Sequence, residues 1–66
     1  MQIKLNGKPH TLPPDASVLA LTQALGLNPG QVAVERNREI VPRSRYGEVG
    51  LAEGDVVEMV AFIGGG

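Results

Sequence analysis

The sequence contains no cysteine. That absence excludes a disulfide framework, a thiolate metal site and a thiol nucleophile within the chain, and it fits a reducing compartment. Aromatic residues are almost missing as well: Tyr46 and Phe62 are the sole examples, too few for a platform on which bases stack. Nor is there an excess of basic charge. Six Lys and Arg against seven Asp and Glu leave a net charge of −1, without the field that drives binding to a phosphate backbone. No run approaches the ~20 apolar residues of a bilayer span. The first apolar stretch is broken by Lys4, Asn6 and Lys8, unlike a signal peptide. These gaps predict a cytoplasmic protein with no nucleic-acid or membrane partner.

The 66 residues make one domain, and a domain of this size buries only about 60% of the surface its unfolded chain exposes. Alternation flanks Asn6-Gly7, from Met1 to Leu5 and from Lys8 to Leu12. Both turn residues tolerate positive φ, so a hairpin is expected, with Pro9 on an edge strand. Ser17 is placed to cap a helix, and Asp15 adds negative charge near its start. Val18, Leu21, Thr22 and Leu25 recur at helical spacing, and Gly26 sits where the helix end needs a left-handed residue. Asn28-Pro29-Gly30 confirms the stop.

Val32 to Asn37 reads as a strand with Val32 and Val34 inward, then a tight turn at Asn37-Arg38 and a short strand at Glu39-Ile40-Val41 that Pro42 ends. The segment 43–50 is expected to be irregular, with one 3₁₀ turn around Ser44-Arg45-Tyr46. Arg43, Arg45 and Tyr46 then form a polar loop, solvated or touching a partner. Leu51 returns to the core, Glu53-Gly54-Asp55 turns, and a last strand runs from Val56 to Ile63. Val57 and Met59 face its core side and Glu58 faces solvent. Beyond Met59 the alternation stops, which a bulge or a covered outer face would explain. The order is ββαββ plus a final β: an α+β fold, a small mixed sheet of about five strands with one helix on one face.

The side chains offer little chemistry. His10 has no partner histidine or carboxylate cluster and reads as an exposed strand residue. The acidic residues are scattered singly, Ser17 and Ser44 lack a base, and Gly47, Gly50 and Gly54 do not build a phosphate loop. No catalytic side chain and no metal ligand set is expected.

The end of the sequence, Ile63-Gly64-Gly65-Gly66, differs. Three residues without Cβ atoms reach conformations closed to others and span roughly 10 Å at about 3.3–3.6 Å each. A terminal α-carboxyl, with a pKa of about 3.3–3.7, is anionic at neutral pH and can attack the α-phosphorus of ATP. Taken alone, such a run fits a frayed end nearly as well. The division expected is a domain over 1–63 and a flexible tail over 64–66, with Phe62 and Ile63 either finishing the core or packing on a partner.

Met1 opening a strand, Asn6-Gly7, Ser17-Val18-Leu19, Val32-Ala33-Val34-Glu35-Arg36-Asn37 with Ile40-Val41-Pro42-Arg43, Gly54-Asp55 and Phe62 to Gly66 together span nearly the whole chain. In these stretches the sequence resembles the thiazole-biosynthesis sulfur carriers of thiamine synthesis, the ThiS family, which are ubiquitin-like β-grasp proteins. The resemblance implies a protein co-substrate rather than an enzyme. It implies that the Gly66 carboxylate is adenylated by a ubiquitin-activating-like adenylyltransferase that uses ATP and Mg, neither held by this chain. The adenylate then becomes a thiocarboxylate, with sulfur from a cysteine desulfurase or sulfurtransferase, and the sulfur passes to thiazole synthase. Gly65 and Gly66 take the family's Gly-Gly role and Gly64 extends the flexible part. Carriers for molybdopterin or tRNA thiolation, and ubiquitin-like modifiers, share this tail chemistry and stay open as alternatives.

Overall fold

The computed structural model describes residues 1–62. Strands β1 (Gln2–Leu5) and β2 (Lys8–Thr11) form an antiparallel hairpin, with Leu5 opposite Lys8. Between them Asn6 (φ 49) and Gly7 (φ 84) are both left-handed, the turn whose twist matches its flanking strands. Ile3 points inward while its neighbours on β1 are more exposed. Pro9 lies on β2 at one edge of the sheet, where its missing N–H breaks no ladder.

Helix α1 (Val18–Ala24) starts at Ser17, whose Oγ accepts from the Ala20 N–H at 3.0 Å. The other first-turn donors also find partners: Val18 N–H reaches Val49 O at 3.0 Å and Leu19 N–H reaches Tyr46 O at 2.9 Å. The helix start is therefore satisfied by its own cap and by the 46–49 loop. Asp15 does not take part. It sits in a left-handed turn (φ 67) before the helix, and no acidic residue lies in the first turn. At the other end Gly26 (φ 72) lets its N–H reach Gln23 O and the Leu27 N–H reach Thr22 O, a paired closure that uses two orphan carbonyls. Val18, Leu21 and Thr22 are buried, but Leu25 becomes the C-cap and is 37% exposed. The apolar stripe is thus one residue shorter than its spacing predicts, because the helix ends first.

Strands β3 (Val32–Arg36) and β4 (Glu39–Ile40) meet through Asn37 (φ 51) and Arg38 (φ 70), and β5 (Val56–Ala61) completes a five-stranded sheet in the order β2-β1-β5-β3-β4. The β1–β5 pairing is parallel and the other pairings are antiparallel. One helix crosses one face of this mixed sheet, the β-grasp arrangement. Ile3, Val18, Leu21, Val32, Val34, Leu51, Val57 and Met59 fill the space between. Two 3₁₀ turns, Pro29–Gln31 and Arg43–Arg45, complete the elements. The second begins one residue before the Ser44 start expected from sequence.

Neither explanation offered for the apolar end of β5 holds. Its register against β3 runs unbroken from Arg36 opposite Val57 to Val32 opposite Ala61, so there is no bulge. Burial alternates as far as Val60, with Val57 and Met59 inside and Val56 and Val60 outside at 41% and 62% exposure, and then Ala61 and Phe62 are both exposed. Among the described residues nothing covers that outer face. β5 is central in the sheet, yet its open side carries Val56 and Val60 on either side of Glu58.

Candidate functional site

Of the site residues read from sequence, Phe62 is described; Ile63, Gly64, Gly65 and Gly66 lie outside the described residues, as does the boundary drawn at Ile63. What the structure does define is how the chain is held just before them. β5 is the middle strand, flanked by β1 and β3. β1 turns away after Leu5, and the Asn6 side chain then takes its place: Nδ2 donates to Met59 O at 3.1 Å and Oδ1 accepts from Met59 N–H at 2.8 Å. On the other side the Phe62 N–H donates to Gln31 O at 2.7 Å. Gln31 ends the 3₁₀ turn that Asn28 caps by accepting from Gly30 N–H at 2.8 Å. The Asn28-Pro29-Gly30 segment, legible in sequence only as a stop, leads into Gln31, whose carbonyl is the last backbone partner among the described residues. Phe62 itself is 55% exposed, so it does not finish the core.

The start of β5 is fixed by a buried carboxylate. Asp55 accepts from Arg36 Nε at 2.8 Å, from the Ala52 N–H at 2.8 Å and from Asn37 Nδ2 at 3.1 Å. Asn37 in turn pairs with Val56 through its side chain and its backbone. Burial alone would raise the Asp55 pKa, but the hydrogen bonds from Arg36, Ala52 and Asn37 outweigh it and hold the carboxyl below its ordinary value. Each of these three bonds is spent on structure. It is a clasp between the β3–β4 turn and β5, not an acid or a base.

The remaining polar residues do not converge. His10 is half-buried opposite Ile3 rather than exposed. Arg45 pairs with Glu48 at 3.3 Å, both solvated. Tyr46 is no part of a polar contact loop: it is buried, and its hydroxyl donates to Val32 O at 2.7 Å. A buried tyrosine needs such a partner, and the signal for it is compositional, since a chain with one Phe and one Tyr has little else of that size to fill its core. Among the described residues no group of His, Asp and Glu is placed to hold a metal ion, and no helix is long and apolar enough to cross a membrane.

A fold whose central strand leads straight into the final four residues, with no other convergent chemistry among the described residues, directs attention to the end of the sequence. The ThiS family model matches residues 3–66. The chain belongs to the ThiS family. It is 42% identical to the sulfur carrier protein ThiS of Bacillus subtilis, over 97% of this chain and 98% of that one. The crystal structure of the ThiS thiamine biosynthesis protein from Geobacter metallireducens superposes with a TM-score of 0.84 at 35% identity, with both chains covered in full. The ubiquitin-like β-grasp is therefore the fold of this ThiS-family chain. It is also 48% identical to a thiazole synthase of Magnetococcus marinus, over the whole of this chain. This chain spans 20% of that thiazole synthase's length.

Proposed function

We propose that the chain is a sulfur carrier in the formation of the thiazole of thiamine, a protein co-substrate and not a catalyst. The observation that carries this reading is the end-to-end likeness to the Bacillus carrier, together with a family match that runs through Gly66. The Gly66 carboxylate oxygen attacks the α-phosphorus of ATP in an activating enzyme and expels pyrophosphate. The resulting acyl-adenylate gives the carbonyl carbon a good leaving group, AMP. The terminal sulfur of a cysteine persulfide displaces it to form an acyl disulfide, and a thiol then cleaves the S–S bond, releasing the thiocarboxylate and leaving the donor cysteine in a disulfide. ATP and magnesium belong to the activating enzyme. Gly64 and Gly65 carry the reacting atoms into a cleft too narrow for side chains.

The acceptor we propose is thiazole synthase. Thiazole synthases of Magnetococcus and Paramagnetospirillum carry a segment 48% and 47% identical to the whole of this chain. One polypeptide holding both parts supports a working relationship between them. The chain's own contribution is to hold β5 in place and to present the glycine tail beyond it.

The reading is tested by incubating the chain with a ubiquitin-activating-like enzyme, ATP and magnesium, a persulfide sulfur source and a thiol reductant. Its intact mass is expected to rise by the difference between one sulfur and one oxygen atom. Deleting Gly65 and Gly66 should abolish the change. No mass change, or the same change in the truncated chain, refutes the assignment. Supplying the thiocarboxylate to thiazole synthase, to a molybdopterin-forming system and to a tRNA-thiolating system then identifies the acceptor.

A further inference from the structure

The chain has three asparagines, Asn6, Asn28 and Asn37, and they differ in what can attack their side-chain amides. An asparagine loses ammonia when the peptide nitrogen of the next residue adds to its Cγ and closes a five-membered succinimide. Asn28 precedes Pro29, whose nitrogen has no N–H to give up. Asn37 precedes Arg38, whose Cβ and long side chain crowd the nitrogen. Asn6 precedes Gly7, which carries no side chain. Around Gly7 the space is open: a Cβ placed there would meet nothing within 4 Å, and both turn residues are exposed. An unshielded nucleophile and the water that completes the reaction therefore coincide at this one pair.

The fold works against the same step. Asn6 is tied to β5 at three points. Its backbone N–H donates to Val57 O at 2.9 Å, Nδ2 donates to Met59 O at 3.1 Å, and Oδ1 accepts from the Met59 N–H at 2.8 Å. Ring closure needs Cγ turned toward the Gly7 nitrogen and Nδ2 free to leave, so both bonds to Met59 must break first. Left-handed backbone at Asn6 (φ 49) and Gly7 (φ 84) fixes the turn itself. The reaction is thus confined to moments when the hairpin turn parts from β5, an opening smaller than global unfolding.

We propose that Asn6 is a deamidation site guarded by its own structural role, and that its conversion frees the part of β5 next to the tail. In the open turn the deprotonated Gly7 nitrogen adds to Cγ. The Cγ–Nδ2 bond then breaks, and Nδ2 takes up solvent protons and leaves as ammonia. Water opens the succinimide at either carbonyl carbon, giving an aspartyl or an isoaspartyl residue. The sum is amide plus water to carboxylic acid plus ammonia, with no oxidation or reduction. At neutral pH neither product restores the clamp. The aspartyl carboxylate still accepts from the Met59 N–H, but it sets a second acceptor against Met59 O where Nδ2 donated. The isoaspartyl link lengthens the backbone of the turn by one methylene. Each conversion is permanent within the chain, so converted chains accumulate with the time the turn has stood open. The site is independent of the sulfur-carrier reading and bears on how long the strand before the tail stays anchored.

The test holds the full chain at one mildly alkaline pH and one temperature, folded in buffer and, in parallel, unfolded in guanidinium chloride. Peptide mapping by mass spectrometry follows each asparagine, and labelling by an isoaspartyl methyltransferase counts the isoaspartyl product. In the unfolded chain Asn6 is expected to convert well ahead of Asn28 and Asn37. In the folded chain its rate should drop by about tenfold or more. Equal rates at the three asparagines, or a folded rate that matches the unfolded one, overturns the proposal. The consequence is read on Asn6→Asp and, separately, on native chain converted under denaturant and then refolded. In both, amide exchange at Met59 and Val60 is expected to quicken by about tenfold or more while the far-UV spectrum stays that of the folded chain. Exchange at the native rate in the converted chain, or loss of its folded spectrum, overturns a release confined to β5.

Discussion

Replacing Asp55 with alanine removes the acceptor at the junction of β5 and the β3–β4 turn. Three donors lose their partner: Arg36 Nε and the Ala52 N–H, each at 2.8 Å, and Asn37 Nδ2 at 3.1 Å. Hydrogen bonds to a charged group contribute about 1.5–3 kcal/mol each, but they do not simply add. The Arg36 side chain is 35% exposed and rehydrates, which discounts its share. Ala52 and Asn37 are exposed residues too, so their freed donors also regain water and their shares are discounted likewise. A net loss of about 2–4 kcal/mol results. Against the ~3–10 kcal/mol expected for a domain of this length, that is a large fraction. At about 4–8 °C per kcal/mol, the unfolding temperature should fall by roughly 10–30 °C. Urea and thermal unfolding followed by circular dichroism measure both quantities.

The same carboxylate sets part of the acid sensitivity. Its folded pKa lies below the ordinary 3.8, so the unfolded chain binds the proton more readily. The stability Asp55 contributes is fully present above 3.8 and is lost as pH falls below that value through the lower folded pKa. Asp55→Asn keeps the shape, is destabilised less than Asp55→Ala near neutral pH, and lacks this component of the acid decline. A loss under about 1 kcal/mol in the alanine variant, or an acid profile unchanged in the asparagine variant, refutes the clasp argument.

Three further changes have definite expected outcomes. Arg38 holds a left-handed conformation, φ 70, with no hydrogen bond or ion pair among the described residues, so Arg38→Gly is expected to stabilise by about 0.5–1 kcal/mol in urea unfolding. Tyr46→Phe leaves the Val32 carbonyl without its 2.7 Å donor and should cost about 1–1.5 kcal/mol while the folded far-UV spectrum is kept. Asn6→Ala removes both bonds to Met59 and a residue suited to its φ of 49. A loss of about 1–3 kcal/mol is expected, and amide hydrogen exchange at Met59 should quicken.

Much of the frame is legible locally because its signals are local. Asn6-Gly7 and Gly26 supply left-handed backbone that few other residues adopt, Ser17 supplies a side-chain cap, and each falls where its chemistry predicts. Val32, Val34, Val57 and Met59 follow the two-residue period of a strand with one buried face. The misses are non-local. Tyr46 reads as part of a polar loop because its neighbours are charged, whereas its partner, the Val32 carbonyl, is fourteen positions away. The clasp at Asp55 draws on Arg36 and Asn37 across a similar gap, and no spacing rule links them. Leu25 obeys helical spacing but lies past the last turn. The end of β5 misleads in a different way: apolar composition suggests cover, whereas Val56, Val60 and Phe62 are exposed. The tail residues stand out through what the rest of the chain lacks, which is a chemical inference and not a conformational one.

The parallel pairing of β1 with β5 has a consequence for how the protein can be tethered. Lys4 lies beside Val56 and Leu5 beside Val57, so β5 runs on past the end of β1 and away from Met1. Counting strand rise from Met1 to Leu5 and from Val57 to Phe62 separates the two ends by roughly 30 Å at about 3.3 Å per residue. An affinity handle, a fluorophore or a fused domain joined ahead of Met1 sits at the pole opposite Phe62. Immobilisation through that pole leaves the other approachable. The molecule has one end for attachment and another for exchange, a polarity that an antiparallel pairing of the same two strands would have erased.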